Sequence, residues 1–293
     1  MKKYILLLIL SCPLSLLSQE GTPFITHYKG SRNQNMENWA ICQDSRDVMY
    51  FANRHGLLSY DGYRWENIKL QKTPMSIALD TVSGRIFIGG LNTFGYLDKD
   101  SRSNYSYLPI SNDSTASGII TGIHFEEDII IFYGNESVSV YDREAGKISR
   151  QWLAEENEEF TGIVYTDNDL FINVSGSGLH RIDSDTLFPI VTGYLTEECE
   201  ILFSLPHSSG KELIGTSDNR LSLFDGIKYY DYPLDNIAYL EENLLSGGIE
   251  VGEKYYAFST LYGGAIVVDK QSARVKHIIN YQNGLPDDEI YAM

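Results

Sequence analysis

The apolar residues of this chain recur in short runs separated by polar turns. In the first clear stretch, runs at Ala40–Gln43, Val48–Ala52 and Leu57–Tyr60 are followed by Asp61 and Gly62. An Asp-Gly pair after an apolar run is a strong hairpin signal. No segment carries a sustained helical period. The pattern therefore predicts an all-β chain of short strands joined by tight turns.

The same pattern returns five more times. The middle of each predicted second strand holds a bulky residue: Tyr50, Phe87, Ile131, Phe171, Leu213 and Tyr256. Each predicted third strand closes on an aspartate: Asp61, Asp98, Asp142, Asp183, Asp225 and Asp269. We interpret these aspartates as hairpin-turn residues. A period of about forty residues, with room for four strands, predicts the blades of a β-propeller. A β-sandwich is the rival fold, but it does not predict so regular a copy number.

The two ends of the chain predict a further, split blade. Phe24–Tyr28 has the pattern of an outer strand without a blade of its own, and Leu285–Met293 that of an innermost strand. We therefore expect a seven-bladed β-propeller with six complete four-stranded blades and an incomplete seventh. In this division, residues 19–36 are a closing strand and lead-in, and residues 37–293 are a propeller truncated within its last blade. The chain is then expected to be a fragment of a longer protein.

Residues 1–18 are predicted to be a secretory signal peptide. Lys2 and Lys3 precede an apolar run from Tyr4 to Leu10, and the small residue Ser18 stands before a polar stretch. This order of charged, apolar and small residues is typical of such signals. The sequence before Cys12 weakly resembles a lipoprotein box, so lipidation there stays an open alternative. The prediction is a periplasmic or other extracytoplasmic location.

The charge and the cysteine content reduce the set of possible partners, disulfides and cofactors. Removal of the two leader lysines takes the formal net charge from −17 to −19. So acidic a chain is a poor binder of nucleic acid or anionic lipid. Cys42 and Cys199 would be the only cysteines left, too few for a disulfide framework. No metal-ligand spacing occurs, and no metal or cofactor is predicted.

The first unit combines an apolar strand, an aspartate, an aromatic strand and a Gly-Leu step with a Tyr-Asp-Gly closure, at Ile41, Asp44, Tyr50, Phe51, Gly56, Leu57, Tyr60, Asp61 and Gly62. In these residues the unit resembles the two-component regulator propeller repeat family. Gly284, Leu285 and Pro286 resemble the family's linker into a next repeat. Units three to five depart from the pattern, because Asn135–Val138 replaces the Gly-Leu step.

The resemblance implies a periplasmic sensor region of a signalling regulator. Such regions are often followed by a triple-tyrosine β domain, a membrane helix and an output module. None of these parts lies within the 293 residues. The implied partners are therefore downstream domains of the same polypeptide, which could anchor the full-length protein in the inner membrane and support a homodimer.

Candidate ligand residues lie in the loops that join second to third strands. In a four-stranded meander these loops share one face with the connections between blades, and such concave rims bind ligands. The candidates are Asn53, Arg54, His55, Asn92, Asn135, Asp218, Asn219, Arg220 and Tyr262. Their amides, charges and rings suit a small polar ligand such as an oligosaccharide, and the two arginines suit an acidic one. The alternative is that these are ordinary turn residues.

No set of residues has the spacing of a catalytic centre. The six histidines are scattered over different units, and the glutamates at 155–159 form a charge run typical of a solvated linker. We therefore predict a non-enzymatic sensor in which ligand binding shifts the population between arrangements of the propeller and its neighbouring domain. An extracytoplasmic interaction scaffold remains an alternative. So does a polysaccharide lyase or glycosidase that assembles acids from several blades.

Overall fold

In the computed structural model, the described residues are 25–26, 37–99, 105–112, 118–166, 169–183, 186–190 and 199–293. Six four-stranded antiparallel sheets follow one another along the chain, each built from four consecutive strands. The prediction of an all-β propeller is confirmed. The predicted signal at residues 1–18 and nearly all of the lead-in at 19–36 lie outside the described residues.

The first three blades contain twelve strands. Blade 1 consists of β1 (Asn38–Gln43), β2 (Met49–Asn53), β3 (Gly56–Tyr60) and β4 (Trp65–Ile68). Blade 2 consists of β5 (Pro74–Asp80), β6 (Arg85–Gly90), β7 (Thr93–Lys99) and β8 (Tyr105–Pro109). Blade 3 consists of β9 (Ile120–Phe125), β10 (Ile129–Gly134), β11 (Ser137–Asp142) and β12 (Lys147–Leu153).

The remaining three blades repeat this arrangement. Blade 4 consists of β13 (Phe160–Thr166), β14 (Asp169–Val174), β15 (Gly178–Asp183) and β16 (Thr186–Pro189). Blade 5 consists of β17 (Ile201–His207), β18 (Lys211–Thr216), β19 (Leu221–Phe224) and β20 (Tyr229–Asp231). Blade 6 consists of β21 (Leu245–Val251), β22 (Tyr255–Thr260), β23 (Ala265–Asp269) and β24 (Val275–Ile279).

The second and third strands of each blade form most of the core, and the second strand is the clearest example. Its two faces pack against different neighbouring blades, so consecutive residues can all be apolar. Ile130, Ile131 and Phe132 in β10 have no exposed surface. Between blades 2 and 3, the rings of Phe94 and Phe132 stack with centroids 4.4 Å apart. The core is therefore a series of apolar layers between blades.

Within the described residues, four of the six closing aspartates cap hairpin turns, as the sequence predicts: Asp61, Asp142, Asp225 and Asp269. Oδ1 of Asp61 accepts hydrogen bonds from the backbone N–H groups of Tyr63 and Arg64, at 2.9 and 2.6 Å. Asp225 repeats this pattern with Ile227 and Lys228, at 3.0 and 2.9 Å. These bonds satisfy turn N–H groups that would otherwise lack a partner.

The prediction of seven blades was wrong: the described part of the chain forms six. Residues 285–293, expected as the innermost strand of a seventh blade, contain no strand. They join blade 6 through isolated bonds, from Gly264 N to Asp288 O at 2.8 Å and from Ile290 N to Thr260 O at 3.2 Å. A strand needs a continuous ladder of such bonds, and Pro286 has no N–H to contribute.

A short α-helix, α1 (Ile237–Asn243), connects blades 5 and 6. The sequence pattern does not predict it, because seven residues are too few for a clear helical period. Tertiary contacts hold it: Leu240 is fully buried, and the Tyr239 hydroxyl donates to the carbonyl of Gly263 at 2.6 Å. Among the residues that the structure describes, no helix is long and apolar enough to span a bilayer.

Candidate functional site

The loops between second and third strands, here called the rim loops, lie beside the connections between blades. Backbone hydrogen bonds show this placement. Asn92 N donates to Gly118 O at 2.9 Å, and Ser217 N donates to Glu200 O at 3.0 Å. The nine candidate residues therefore share one face of the propeller, although they are distributed over five blades.

Four candidate asparagines bind backbone groups with their side chains. The buried Asn53 donates from Nδ2 to Glu37 O at 3.0 Å. Oδ1 of Asn92 and of Asn135 accepts from the N–H groups of residues 118 and 119, at 2.9 and 3.1 Å. Oδ1 of Asn219 accepts from Leu245 N at 2.7 Å. These hydrogen bonds hold the rim loops against the innermost strands, or against the residues just before those strands. Their role in ligand binding stays a prediction.

The backbone explains why asparagine suits two of these positions. Asn92 and Asn219 have φ values of 49° and 66°, in the left-handed region. Asparagine tolerates this region better than most residues with a side chain. The turn role and the bonding role therefore coincide at these two loops.

Arg220 and Asp218 form a pair on the rim of blade 5. Arg220 Nε donates to Asp218 Oδ2 at 2.5 Å, and its second nitrogen lies 3.5 Å from Cys199 Sγ. Burial opposes ionisation of Asp218, but hydrogen bonds from Arg220 and Thr216 outweigh it and lower the pKa of this carboxyl. The guanidinium is therefore already engaged by a carboxylate, which weakens its attraction for an acidic ligand.

The other charged and aromatic candidates point to solvent. Arg54 and His55 are exposed in the rim loop of blade 1. Tyr262, on blade 6, is 63% exposed. Tyr291 is 68% exposed and lies close enough to Tyr262 for the two side chains to interact electrostatically. Tyr291 was missed by sequence reasoning, because nothing in the pattern marks the end of the chain as part of the rim.

The rim also holds a cavity of about 650 Å³ between blades 3 and 4. Its acidic lining residues are Glu136, Glu155, Glu156, Glu158 and Glu159. The sequence interpretation treats the run at 155–159 as a solvated linker and misses that it lines a concave surface. So many carboxylates attract hydroxyl and cationic groups and repel anions. Among the described residues, no group of three or more His, Cys, Asp or Glu side chains is placed to hold a metal ion.

Comparison with known proteins adds solved structures at low identity. No family model and no curated protein matches this chain. The extracellular domain assigned to the hybrid two-component system BT4673 of B. thetaiotaomicron matches with a TM-score of 0.67 and 14% identity, over 93% of this chain and 37% of that one. The shared feature is the β-propeller fold.

Two further structures show how widely that fold is used. The extracellular domain assigned to the hybrid two-component system BT3049 of B. thetaiotaomicron has a TM-score of 0.63 and 16% identity, over 87% of this chain and 36% of that one. Virginiamycin B lyase from Staphylococcus aureus has a TM-score of 0.62 and 12% identity, over 86% and 87%. This chain thus spans about a third of each two-component domain.

Proposed function

We propose that this propeller is a ligand-sensing part of an extracytoplasmic signalling regulator of the two-component regulator propeller type. The observation that carries the proposal is the combination of the repeat at residues 41–62 with a fold that matches extracellular domains of such systems. The leader pattern at residues 1–18 supports export. The fold by itself does not choose a function, because a lyase shares it.

The proposed ligand is a small, hydroxyl-rich molecule of the oligosaccharide class, bound at the rim. Tyr262 on blade 6 offers an exposed ring on which a sugar can stack, and the exposed ring of Tyr291 lies near it. Binding would favour one arrangement of the propeller relative to a neighbouring domain, and so bias an output module. The proposed assignment is non-enzymatic.

A panel of neutral oligosaccharides, with thermal unfolding as the readout, tests the proposal on the purified chain. A ligand at about 100 times its Kd stabilises the folded state by about 2.7 kcal/mol, so we expect at least one member to raise Tm by several degrees. Tyr262→Ala should abolish the shift. Tyr63→Ala is the matched control, because Tyr63 is 95% exposed on a turn at the opposite end of a blade. A panel in which no member raises Tm would exclude the oligosaccharide class.

The second candidate function is a propeller-type polysaccharide lyase or glycosidase, for which the cavity between blades 3 and 4 supplies clustered carboxylates. The same panel separates the two functions, because an enzyme consumes its ligand. Chromatography of each incubation should show intact oligosaccharide if the propeller is a sensor. New, shorter products that depend on Glu158 or Glu159 would favour the enzyme.

A further inference from the structure

A second cavity, of about 410 Å³, lies between blade 2 and the connection that joins it to blade 1, away from the acidic cavity between blades 3 and 4. We call it the seam cavity; Lys69, Lys72, Thr93, Tyr105 and Tyr107 line it together with apolar residues and with the polar residues Gln71, Thr73 and Ser106. Its volume is within the range of small-molecule sites.

One wall of the seam cavity is aromatic and held in place. Tyr105 and Tyr107 alternate along β8 and therefore point to the same side of the strand. The hydroxyl of Tyr107 is 3.0 Å from Thr93 Oγ1, and that of Tyr105 is 2.7 Å from the hydroxyl of Tyr50. Because both hydroxyls are engaged, the ring orientations are fixed before a ligand arrives. This preorganisation reduces the entropy cost of binding.

The rest of the wall is mostly apolar. Pro74 and Ile88 are buried on β5 and β6, and Pro109 is the last residue of β8, the outermost strand of blade 2. A concave surface of rings and aliphatic groups favours a ligand with a flat apolar body.

The charge of the seam cavity is opposite to that of the chain as a whole. The chain has 40 acidic and 23 basic residues, yet among the described residues none that lines this cavity is acidic. Lys69 and Lys72 stand in the connection between β4 and β5. Lys72 Nζ donates to the carbonyl of Asn92 at 3.0 Å, which holds the ammonium group beside the cavity. An ammonium has three N–H donors, so two remain for an anion.

From these observations we propose that the seam cavity binds a small carboxylate with a flat apolar body, of the aromatic carboxylate class. The ring lies against Tyr105 and Tyr107, and the carboxylate faces Lys69 and Lys72. This site is separate from the proposed oligosaccharide site of the rim, and its existence does not depend on that proposal.

Calorimetric titrations of the purified chain with three probes measure separately the contributions of the ring and of the carboxylate. The probe 2-naphthoate carries both the ring and the charge, 2-naphthamide carries only the ring, and acetate carries only the charge. We expect 2-naphthoate to bind at least ten-fold more tightly than either of the others. Equal affinities for naphthoate and naphthamide, or no binding of naphthoate, would overturn the proposal.

Two charge-matched double variants locate the site. Lys69→Gln with Lys72→Gln should lower naphthoate affinity at least ten-fold and leave naphthamide affinity unchanged. Lys254→Gln with Lys276→Gln removes two exposed lysines of blade 6, changes the net charge equally, and should leave both affinities unchanged. Equal loss in both double variants would mean that net charge, and not this cavity, attracts the anion. All four lysines are exposed, so the variants should unfold at the wild-type temperature.

Discussion

At the scale of single residues, Glu212 stands out as a carboxyl group in an unfavourable environment. It lies on β18 and accepts a hydrogen bond from Ser204 Oγ at 2.9 Å. Burial raises its pKa to about 7, and the negative charges of Glu126 and Glu250 add to the effect. The folded chain therefore binds a proton at Glu212 more tightly than the unfolded chain does, and this group makes stability depend on pH.

The sign of that dependence can be tested with Glu212→Gln. Because the folded-state pKa is raised, the contribution of Glu212 is favourable below the ordinary glutamate pKa and is lost as pH rises through about 7. Urea unfolding of the wild type should show about 2–3 kcal/mol of loss from this group between pH 5 and 8. The variant should lack this loss and be the more stable protein at pH 8. Glu253→Gln, at an exposed turn, should keep the wild-type slope; the same slope in both variants would contradict the assignment.

Substitutions of Asn219 test whether this residue stabilises its turn or binds a ligand at the rim. Its side chain accepts from Leu245 N at 2.7 Å, and its φ is 66°. Asn219→Ala loses the bond and strains the backbone, so it should cost about 2 kcal/mol. Asn219→Gly loses only the bond and should cost about 1 kcal/mol. If either variant loses ligand affinity at unchanged stability, Asn219 is a ligand residue and not a fastening of the loop.

At the scale of elements, a buried ion pair joins blades 2 and 3. Arg143 follows β11 and donates two hydrogen bonds to Asp80, at 2.5 and 3.2 Å. The Asp80 side chain is 1% exposed and also accepts from the turn that follows β5. Burial opposes ionisation of Asp80, but hydrogen bonds from Arg143 and Ser83 prevail and lower its pKa. The pair therefore fixes the packing of two blades.

Arg143→Met should weaken the fold strongly, because it leaves a buried carboxylate without its cation. We expect a loss of about 3 kcal/mol in urea unfolding at pH 7. Arg181→Met is the control, since its pair with Asp169 is about half exposed on both sides and should cost less than about 1 kcal/mol. Similar losses of unfolding free energy in the two variants would show that the ion pair between the blades stabilises the fold no more than an exposed pair does.

Elements differ in how far the sequence predicts them. The strands and closing turns follow from local patterns, so the predicted strand Leu57–Tyr60 agrees with β3 to within one residue. The number of blades does not follow from local patterns, because a seventh blade requires residues 285–293 to pair with a strand that is far away in the sequence. The pairing of Arg143 with Asp80, 63 residues apart, and the opposite charges of the two cavities are tertiary features of the same kind. At the rim, the turn roles of asparagine are predictable, whereas Tyr291 is not.

At the scale of the whole molecule, the described residues form a β-propeller of six blades with two chemically different concave surfaces. One, between blades 3 and 4, is lined by glutamates; the other, between blade 2 and its connection to blade 1, is lined by lysines and tyrosines. An acidic chain that keeps two lysines beside an aromatic wall can select ligands by charge at separate places. This arrangement suits a sensing region, in which binding and output are carried by different parts of a polypeptide.

The most direct test of the proposed sensing role is a reporter measurement in cells that carry the gene for this chain. An oligosaccharide that raises the Tm of this chain should change reporter output in the wild type. The change should disappear with Tyr262→Ala and persist with Tyr63→Ala. A ligand that stabilises the chain, enters the same compartment and leaves reporter output unchanged would contradict the account.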